Sequence, residues 1–226
     1  MATATAIAPP TASYDTVAEL VRDLGDIPLF RILLKPLPGT ATEADQLRMC
    51  ESGGRLVELI DGTLVEKAMG AREGFMAATL ISYLMIFVRK HNLGIVGAPD
   101  IIHRIIDGQN RLPDVSFTSW ATLPEDDSHL TPISDFTPDL CIEILSESNT
   151  RKEMDRKRKE YFRGGAKLVW EIEPEERTVA VYASPAKCGT LRESDTLDGG
   201  KVLPGFTLSL AEFFAEPQLN SRPAKK

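Results

Sequence analysis

Cysteine and histidine are scarce in this sequence, and their scarcity excludes several classes of protein. The 226 residues include three cysteines, Cys50, Cys141 and Cys188, which are odd in number and lack the paired spacing of metal ligands. This pattern argues against a disulfide framework and predicts a reducing compartment, so we expect a cytoplasmic location. The three histidines are equally scattered. A zinc site is therefore poorly supported.

A long hydrophobic run and an excess of positive charge are also missing. The longest apolar stretch, Phe75 to Val88, is shorter than the roughly 20 residues that cross a bilayer, so we expect no membrane partner. The 26 basic and 33 acidic residues give a net charge of −7, which argues against nucleic acid binding over the whole surface but allows a local basic groove. We expect one domain at residues 14–216, between disordered tails at 1–13 and 217–226.

Turn signals and hydrophobic periodicity predict an α+β (or α/β) fold. Short helices are expected over 14–24 and 43–52, followed by a β-hairpin that turns at Asp61-Gly62. The helix expected over 73–91 is apolar nearly all round, which predicts burial on more than one side, by the sheet and partly by another subunit.

The second half of the chain alternates strands with one helix. "GIVGAPDIIHRII" and "RLPDVSFTS" predict a second hairpin that turns at Asp107-Gly108. A proline-rich and acidic loop is expected over 121–137. After it we expect the strand in "DLCIEILSES", a helix, three further strands in "KLVWEIEP", "TVAVYAS" and "KVLPGFTLSL" that complete the sheet, and a short closing helix in "LAEFF".

Glu143 interrupts an otherwise apolar strand. The run "LCIEIL" is apolar on both faces apart from this glutamate, which is typical of a central strand. A buried carboxylate costs several kcal/mol, in order of magnitude, unless a cation or hydrogen-bond donors meet it. Either Glu143 faces solvent or pairs with an arginine, as most strand glutamates do, or it belongs to a site.

The helix that follows this strand carries a positively charged residue, Lys157, on the face that is expected to be buried. Thr150 and Glu153 fit a capping box, and Gly164-Gly165 fits a C-terminal stop. Met154 and Tyr161 are seven residues apart, so they share the inward face, and Lys157 lies on the same stripe.

The same helix is locally basic. Residues 151–167 hold eight basic and three acidic residues on an acidic protein. Arg156, Lys159 and Arg163 can point away from the inward stripe. They form either an ordinary solvated helix face or a patch that steers phosphate.

Asp114 completes a candidate set with Glu143 and Lys157. It follows Pro113 at a predicted strand start, where aspartate is most often a turn residue. Two carboxylates on adjacent strands can hold hydrated Mg²⁺, which uses one or two carboxylates together with water and phosphate. Such an ion polarises a phosphodiester, and a nearby lysine can orient the attacking water or offset charge in the transition state.

The motifs "RLVELIDGTLVE", "RLPDVSF", "PDLCIEILSESN", "KRKEY", "GGAKLVWEIEP" and "LPGFTLSL" occur in an order and spacing that fit together. Over roughly residues 43–214 the sequence resembles the Uma-two family of bacterial restriction-endonuclease-like proteins, which have the PD-(D/E)XK nuclease fold. The resemblance implies a restriction-endonuclease-like mixed β-sheet flanked by helices, with an N-terminal β-hairpin extension. It also implies a site that uses Mg²⁺ or Mn²⁺.

Transferred position by position, the resemblance makes Asp114 and Glu143 the metal-binding carboxylates. The lysine usual two places after Glu143 is replaced by Leu145, and the resemblance gives its role to Lys157. Glu58 matches the glutamate of the family's first hairpin and is either a site acid or a hairpin residue. Where the family often has a histidine, Glu73 either supplies a helix acid or caps the helix.

Two functions follow from these expectations. The first is a metal-dependent endonuclease that hydrolyses phosphodiester bonds in DNA and acts as a homodimer. The alternative is a non-catalytic homodimer that keeps the nuclease fold and binds nucleic acid or protein, with the polar cluster serving as a satisfied core network.

Overall fold

The computed structural model describes residues 12–126, 130–186 and 188–215. Except for residues 12 and 13, the predicted tails at 1–13 and 217–226 lie outside the described residues, as does His129. The α-helices are α1 (Val17–Asp23), α2 (Glu43–Gly53), α3 (Ala71–His91), α4 (Arg151–Gly164) and α5 (Leu210–Phe213). A 3₁₀ helix spans Leu29–Arg31.

The strands form a five-stranded sheet, a six-stranded sheet and a separate pair. They are β1 (Val57–Ile60), β2 (Thr63–Glu66), β3 (Gly94–Gly97), β4 (Ile102–Ile106), β5 (Gln109–Arg111), β6 (Val115–Ser119), β7 (Ile133–Ser134), β8 (Leu140–Ile144), β9 (Leu168–Glu173), β10 (Thr178–Tyr182), β11 (Cys188–Arg192), β12 (Thr196–Asp198) and β13 (Thr207–Ser209). The sheet orders are β2-β1-β5-β4-β7, β11-β10-β9-β8-β6-β3 and β12-β13.

The first hairpin forms as its turn chemistry predicts. Strands β1 and β2 pair antiparallel, with Ile60 opposite Thr63. Asp61 and Gly62 both have positive φ angles, 46° and 73°, as the tight turns that suit twisted hairpins require. This hairpin belongs to the smaller sheet and places Glu58 on its buried inner strand.

The second predicted hairpin is wrong in its pairing. Each of its long runs divides in two: β4 pairs with β5 in the five-stranded sheet, whereas β3 pairs with β6 in the six-stranded sheet. The breaks fall near Pro99 and Pro113, which cannot donate to a strand ladder. The chain therefore crosses twice between the two sheets, and the second crossing carries Asp114 to their junction.

The last predicted strand also takes a different place. β13 does not complete the main sheet but pairs with β12 in a separate two-stranded unit. Three strands were not predicted: β7, within the region expected to be a loop, β11 at an edge of the main sheet, and β12, the partner of β13. β11 is largely exposed, so it lacks the hydrophobic alternation that would have marked it.

Helix α3 is buried along one stripe, contrary to the expectation of burial on several sides. Ala77, Leu80, Leu84 and Val88 join the main hydrophobic core, while Phe75 and Ile86 are 76% and 70% exposed. Within the described residues, α3 is the one helix with the length and composition to cross a membrane. Those properties alone are weak evidence for a membrane span, because a core helix that packs on a sheet shares them.

Helix α4 begins and ends where its caps predict. Thr150 accepts a hydrogen bond from the Glu153 backbone N–H, and Gly165 adopts a left-handed conformation after the last turn. Only one half of the predicted capping box forms, because the Glu153 side chain does not bond back to the Thr150 backbone N–H. It forms an ion pair, at 2.7 Å, with buried Arg31, which lies in the segment before α2. The N-terminal segment is thereby fastened to the helix that carries Lys157.

Candidate active site

Strand register brings Asp114 and Glu143 together. Strands β6 and β8 pair antiparallel with Val115 opposite Ile142, so the two acidic residues are next to each other on adjacent strands. The Asp114 backbone N–H donates to the Ile142 carbonyl at 2.9 Å, and the Ile144 N–H donates to Asp114 Oδ2 at 2.6 Å. The Asp114 carboxylate is therefore held by the end of the strand that carries Glu143.

Lys157 joins the two sheets by contacting a carboxylate from each. Its Nζ lies 3.1 Å from Glu58 Oε1 and 3.2 Å from Glu143 Oε2. All three residues are 4% exposed or less. The predicted inward stripe of α4 is confirmed by the burial of Met154, Lys157 and Tyr161. Glu143 is thus a buried strand residue whose charge is met by Lys157.

The remaining carboxylate oxygens of Glu58 and Glu143 also have partners. The Tyr161 hydroxyl donates to Glu143 Oε1. Arg111 contacts Glu58 Oε2 at 2.8 Å, and the Leu112 N–H donates to Glu58 Oε1 at 3.2 Å. Arg111 also contacts Glu160 of α4 at 2.6 Å. Buried charges are tolerated when they are paired in this way, and here the pairing fixes both carboxylates.

Burial and neighbouring charges separate the pKa values of the two glutamates. Burial raises the pKa of Glu58, but the charges of Lys157, Arg111 and Lys67 outweigh it and bring the pKa to about 2. Burial also raises the pKa of Glu143, and the nearby Asp114 and Glu58 carboxylates add to it against the pull of Lys157, giving about 7. An additional cation near Glu143 and Asp114 would relieve this repulsion.

Burial lowers the pKa of the Lys157 ammonium, but the Glu143 and Glu58 carboxylates more than offset this and raise it above its usual value. Lys157 is therefore a fixed positive charge at neutral pH. It can donate hydrogen bonds and stabilise negative charge, but it cannot accept a proton.

Sequence reasoning missed Lys67, which follows β2 directly. Its Nζ lies 2.9 Å from Asp114 Oδ1, and its side chain is 2% exposed. Lys67 also donates to the Pro99 carbonyl at 3.3 Å. A lone lysine after a hairpin strand has no periodic signal that would mark it as buried. Arg111 was missed as well, although it stands three residues before Asp114 in the quoted motif "RLPDVSF".

A cleft of about 780 Å³ adjoins this cluster at Lys67, whereas Asp114, Glu143 and Lys157 do not line it. Its lining includes Lys67, the loop at Leu145 and Ser146 that follows the Glu143 strand, and the start of α3. Glu73 also lines the cleft, where its carboxylate accepts a hydrogen bond from the Gly70 N–H at 2.8 Å. This contact matches the helix-capping alternative for Glu73.

The predicted phosphate-steering residues are not brought to this cleft. Arg156, Lys159 and Arg163 line a separate depression of about 500 Å³. Arg156 is already paired with Glu160, at 2.7 Å, and with Asp61. Arg156 is thus partly neutralised by structural ion pairs, and a steering role for Arg156, Lys159 and Arg163 stays a prediction.

The donor set fits a small hard cation held by two carboxylates. Among residues 12–126, 130–186 and 188–215, no three Asp, Glu, His or Cys side chains are grouped as metal ligands. Mg²⁺ needs fewer, since water and substrate phosphate complete its shell. Asp114 Oδ1 is buried and contacts the Lys67 ammonium at 2.9 Å, and since a carboxylate oxygen has two lone pairs, one stays available beside this ion pair. Both oxygens of Glu58 and both oxygens of Glu143 are engaged. Glu143 would therefore share an oxygen between the ion and Lys157 or Tyr161, while Glu58, which lies on the other sheet, anchors Lys157.

The fold and the carboxylate–lysine cluster define a restriction-endonuclease-like protein. A crystal structure from Anabaena variabilis ATCC 29413, described as a putative nuclease belonging to DUF820, is similar in fold, with a TM-score of 0.63 and 20% sequence identity. The match covers 70% of this chain and 89% of that one. No curated protein sequence matches this chain.

The chain belongs to the Uma2 family, described as "Putative restriction endonuclease", whose family model matches residues 43–211. The predicted family and the predicted mixed sheet flanked by helices are both confirmed. The match begins at α2, so the segment that carries Arg31 precedes the matched region.

Proposed function

We propose that this protein is a metal-dependent endonuclease that hydrolyses phosphodiester bonds in DNA. One observation supports the proposal above the others: Asp114 and Glu143 lie side by side on adjacent strands, with the Lys157 ammonium 3.2 Å from Glu143. Membership of a family described as restriction endonucleases supports the choice of a phosphodiester substrate. Asp114 and Glu143 would hold Mg²⁺ or Mn²⁺.

Each residue of the cluster has a task in this proposal. The bound ion would supply Lewis-acid polarisation of a phosphate oxygen and a lowered pKa for water. Lys157 would orient the attacking water and stabilise negative charge on the phosphate, because it remains protonated. Tyr161 and Glu58 would position Glu143 and Lys157 respectively, each through a direct contact.

The proposal is tested by cleavage of supercoiled plasmid DNA by the full-length chain, with Mg²⁺ or Mn²⁺ and with chelator. We expect cation-dependent nicking that falls by about a hundredfold or more in Asp114→Asn and Glu143→Gln, as loss of charge stabilisation at an active site does. Glu51→Gln, an exposed residue of α2, is the matched control and should cleave like the wild type. Cation-independent cleavage, or equal cleavage by Glu143→Gln, would contradict the proposal.

The non-catalytic alternative has its own supporting observation. Glu58, Asp114 and Glu143 each have a basic partner within 3.2 Å, as the members of a satisfied core network would. DNA retention in a gel-shift experiment without cleavage under any divalent cation would favour this alternative. The predicted homodimer suits either function. We propose that it forms through the surface of α3 that exposes Phe75, Tyr83 and Ile86.

The proposed setting remains a reducing compartment such as the cytoplasm. Cys50, Cys141 and Cys188 are all free thiols, and Cys141 is buried in the core strand β8. Free cysteines of this kind are usual where disulfides do not persist.

A further inference from the structure

Lys67 lies between the cleft and Asp114. Lys67 is among the residues that line the cleft, and its Nζ contacts Asp114 Oδ1 at 2.9 Å. Asp114 and Glu143 themselves are 2% and 4% exposed. A cation that enters from the cleft therefore meets the Lys67 ammonium before it meets the Asp114 carboxylate.

Each carboxylate of the cluster already has a basic partner without a divalent ion. Glu58, Asp114 and Glu143 contact the three basic groups Lys67, Arg111 and Lys157 at 3.2 Å or less. A divalent cation at Asp114 would relieve the repulsion among the carboxylates but would also be repelled by the ammonium that contacts Asp114. Because that repulsion is strong where water is excluded, withdrawal of one basic group would favour metal binding.

Lys67 is the group best placed to withdraw. Arg111 is held by Glu58 and Glu160, and Lys157 is held by Glu58 and Glu143. Lys67 has one carboxylate partner and one carbonyl contact at 3.3 Å, and it stands beside open cleft volume. A lysine ammonium on a four-carbon stem can move several ångströms while the stem stays packed.

We propose that Lys67 gates the metal site: its ammonium occupies Asp114 until a divalent cation displaces it into the cleft. This inference rests on the proposed metal-dependent function and deepens it. In the cleft, the displaced ammonium would lie where it can contact a phosphate oxygen of the substrate. Lys67 would then oppose metal binding in the absence of substrate and support it when a phosphate is present.

The test is calorimetric titration of the full-length chain with Mn²⁺ in the absence of nucleic acid. Lys67→Met and Lys67→Gln remove the competing charge, and the glutamine variant keeps a donor for Asp114. We expect both variants to bind Mn²⁺ about tenfold or more tightly than the wild type, as expected from the size of a single close charge interaction. Lys67→Arg keeps the charge and should bind no more tightly than the wild type.

Lys201→Met is the control for net charge, because Lys201 is an exposed turn residue. It should bind Mn²⁺ like the wild type. Tight binding by Lys67→Met or Lys67→Gln supports the gate even if the wild type shows no measurable binding. Wild-type binding with equal or weaker binding by both neutral variants overturns the gate and leaves the nuclease proposal standing. Absence of binding in every variant overturns the gate, and the plasmid cleavage experiment then decides the nuclease proposal independently, because substrate phosphate can complete the metal shell.

Discussion

Helix α4 carries lysine side chains on both of its faces, but the one on the inner face is buried and those on the outer face are exposed. On the inner face, Lys157 is 2% exposed and has carboxylates at 3.1 and 3.2 Å. On the outer face, the Lys152 side chain is 68% exposed and pairs with an exposed aspartate, Asp26. The net positive charge of the helix therefore includes both buried basic groups paired with buried carboxylates and exposed basic groups that face solvent.

The difference shows why composition could not decide the role of this helix. An exposed ion pair contributes between zero and about 1 kcal/mol, because water and salt screen it. Lys157 cannot leave its position without stranding the Glu58 and Glu143 carboxylates that it contacts. The spacing of Met154, Lys157 and Tyr161, rather than the number of basic residues, identifies which lysine belongs to the site.

The largest effect on stability is expected from Arg111→Met, which removes a buried cation that contacts Glu160 of α4. Arg111 is 1% exposed and lies between Glu58 and Glu160. Its loss leaves buried carboxylates uncompensated, so we expect the free energy of unfolding to fall by about 3–5 kcal/mol. Chemical denaturation measures this change.

Lys152→Met, on the outer face, is the matched control for Arg111→Met. It should lower the free energy of unfolding by less than about 1 kcal/mol. Similar losses in the two variants would show that the buried network contributes no more to stability than an exposed pair, and the contrast between the faces would fail.

A second prediction compares two lysines that lie two positions apart on α4. Lys157→Met should lower the rate of DNA cleavage by about 10²- to 10³-fold, the usual result of removing a fixed donor at a developing charge. Lys159→Met should lower it less than about threefold, because Lys159 is exposed beside the separate depression. Single-turnover cleavage kinetics measure both, and circular dichroism verifies that each variant is folded. A comparable loss of cleavage rate in Lys159→Met would indicate that the active site lies on the outer face of α4.

Much of the site could be predicted because strong local signals mark its parts. The Asp61-Gly62 turn located Glu58, the capping signals at Thr150 and Gly165 set the bounds of α4, and Glu143 was conspicuous in an apolar strand. Each of these signals comes from a few neighbouring residues. They identified the members of the cluster without giving their distances.

The parts that sequence could not supply depend on distant pairings. The division of the second hairpin between two sheets depends on β3 finding β6 and β4 finding β5. Lys67 becomes a site residue only because β2 ends beside Asp114, 47 positions later. Register between strands is set by packing of the whole domain, and no local pattern around Lys67 encodes it.

His103 shows what burial does to a basic group that has no carboxylate partner among the described residues, and its predicted effect appears only at acidic pH. Burial lowers the pKa of His103 to about 4 from an ordinary value of 6.5, in contrast to the raised pKa of Lys157. Below pH 6.5 the unfolded chain takes up a proton that the folded protein refuses until about pH 4. Stability attributable to this residue therefore falls as the pH drops through that interval, by up to about 1.4 kcal/mol per pH unit.

His103→Leu should remove this contribution, because leucine has no group to protonate. The stability difference between variant and wild type should shift in favour of the variant between pH 6.5 and pH 4 and be constant above pH 7.5. Denaturant unfolding at closely spaced pH values measures it, and the difference between the two proteins cancels the titration of the carboxylates they share. A difference that does not vary with pH would mean that His103 titrates in the folded protein as it does in the unfolded chain, and that burial without a carboxylate partner does not suffice to lower its pKa here.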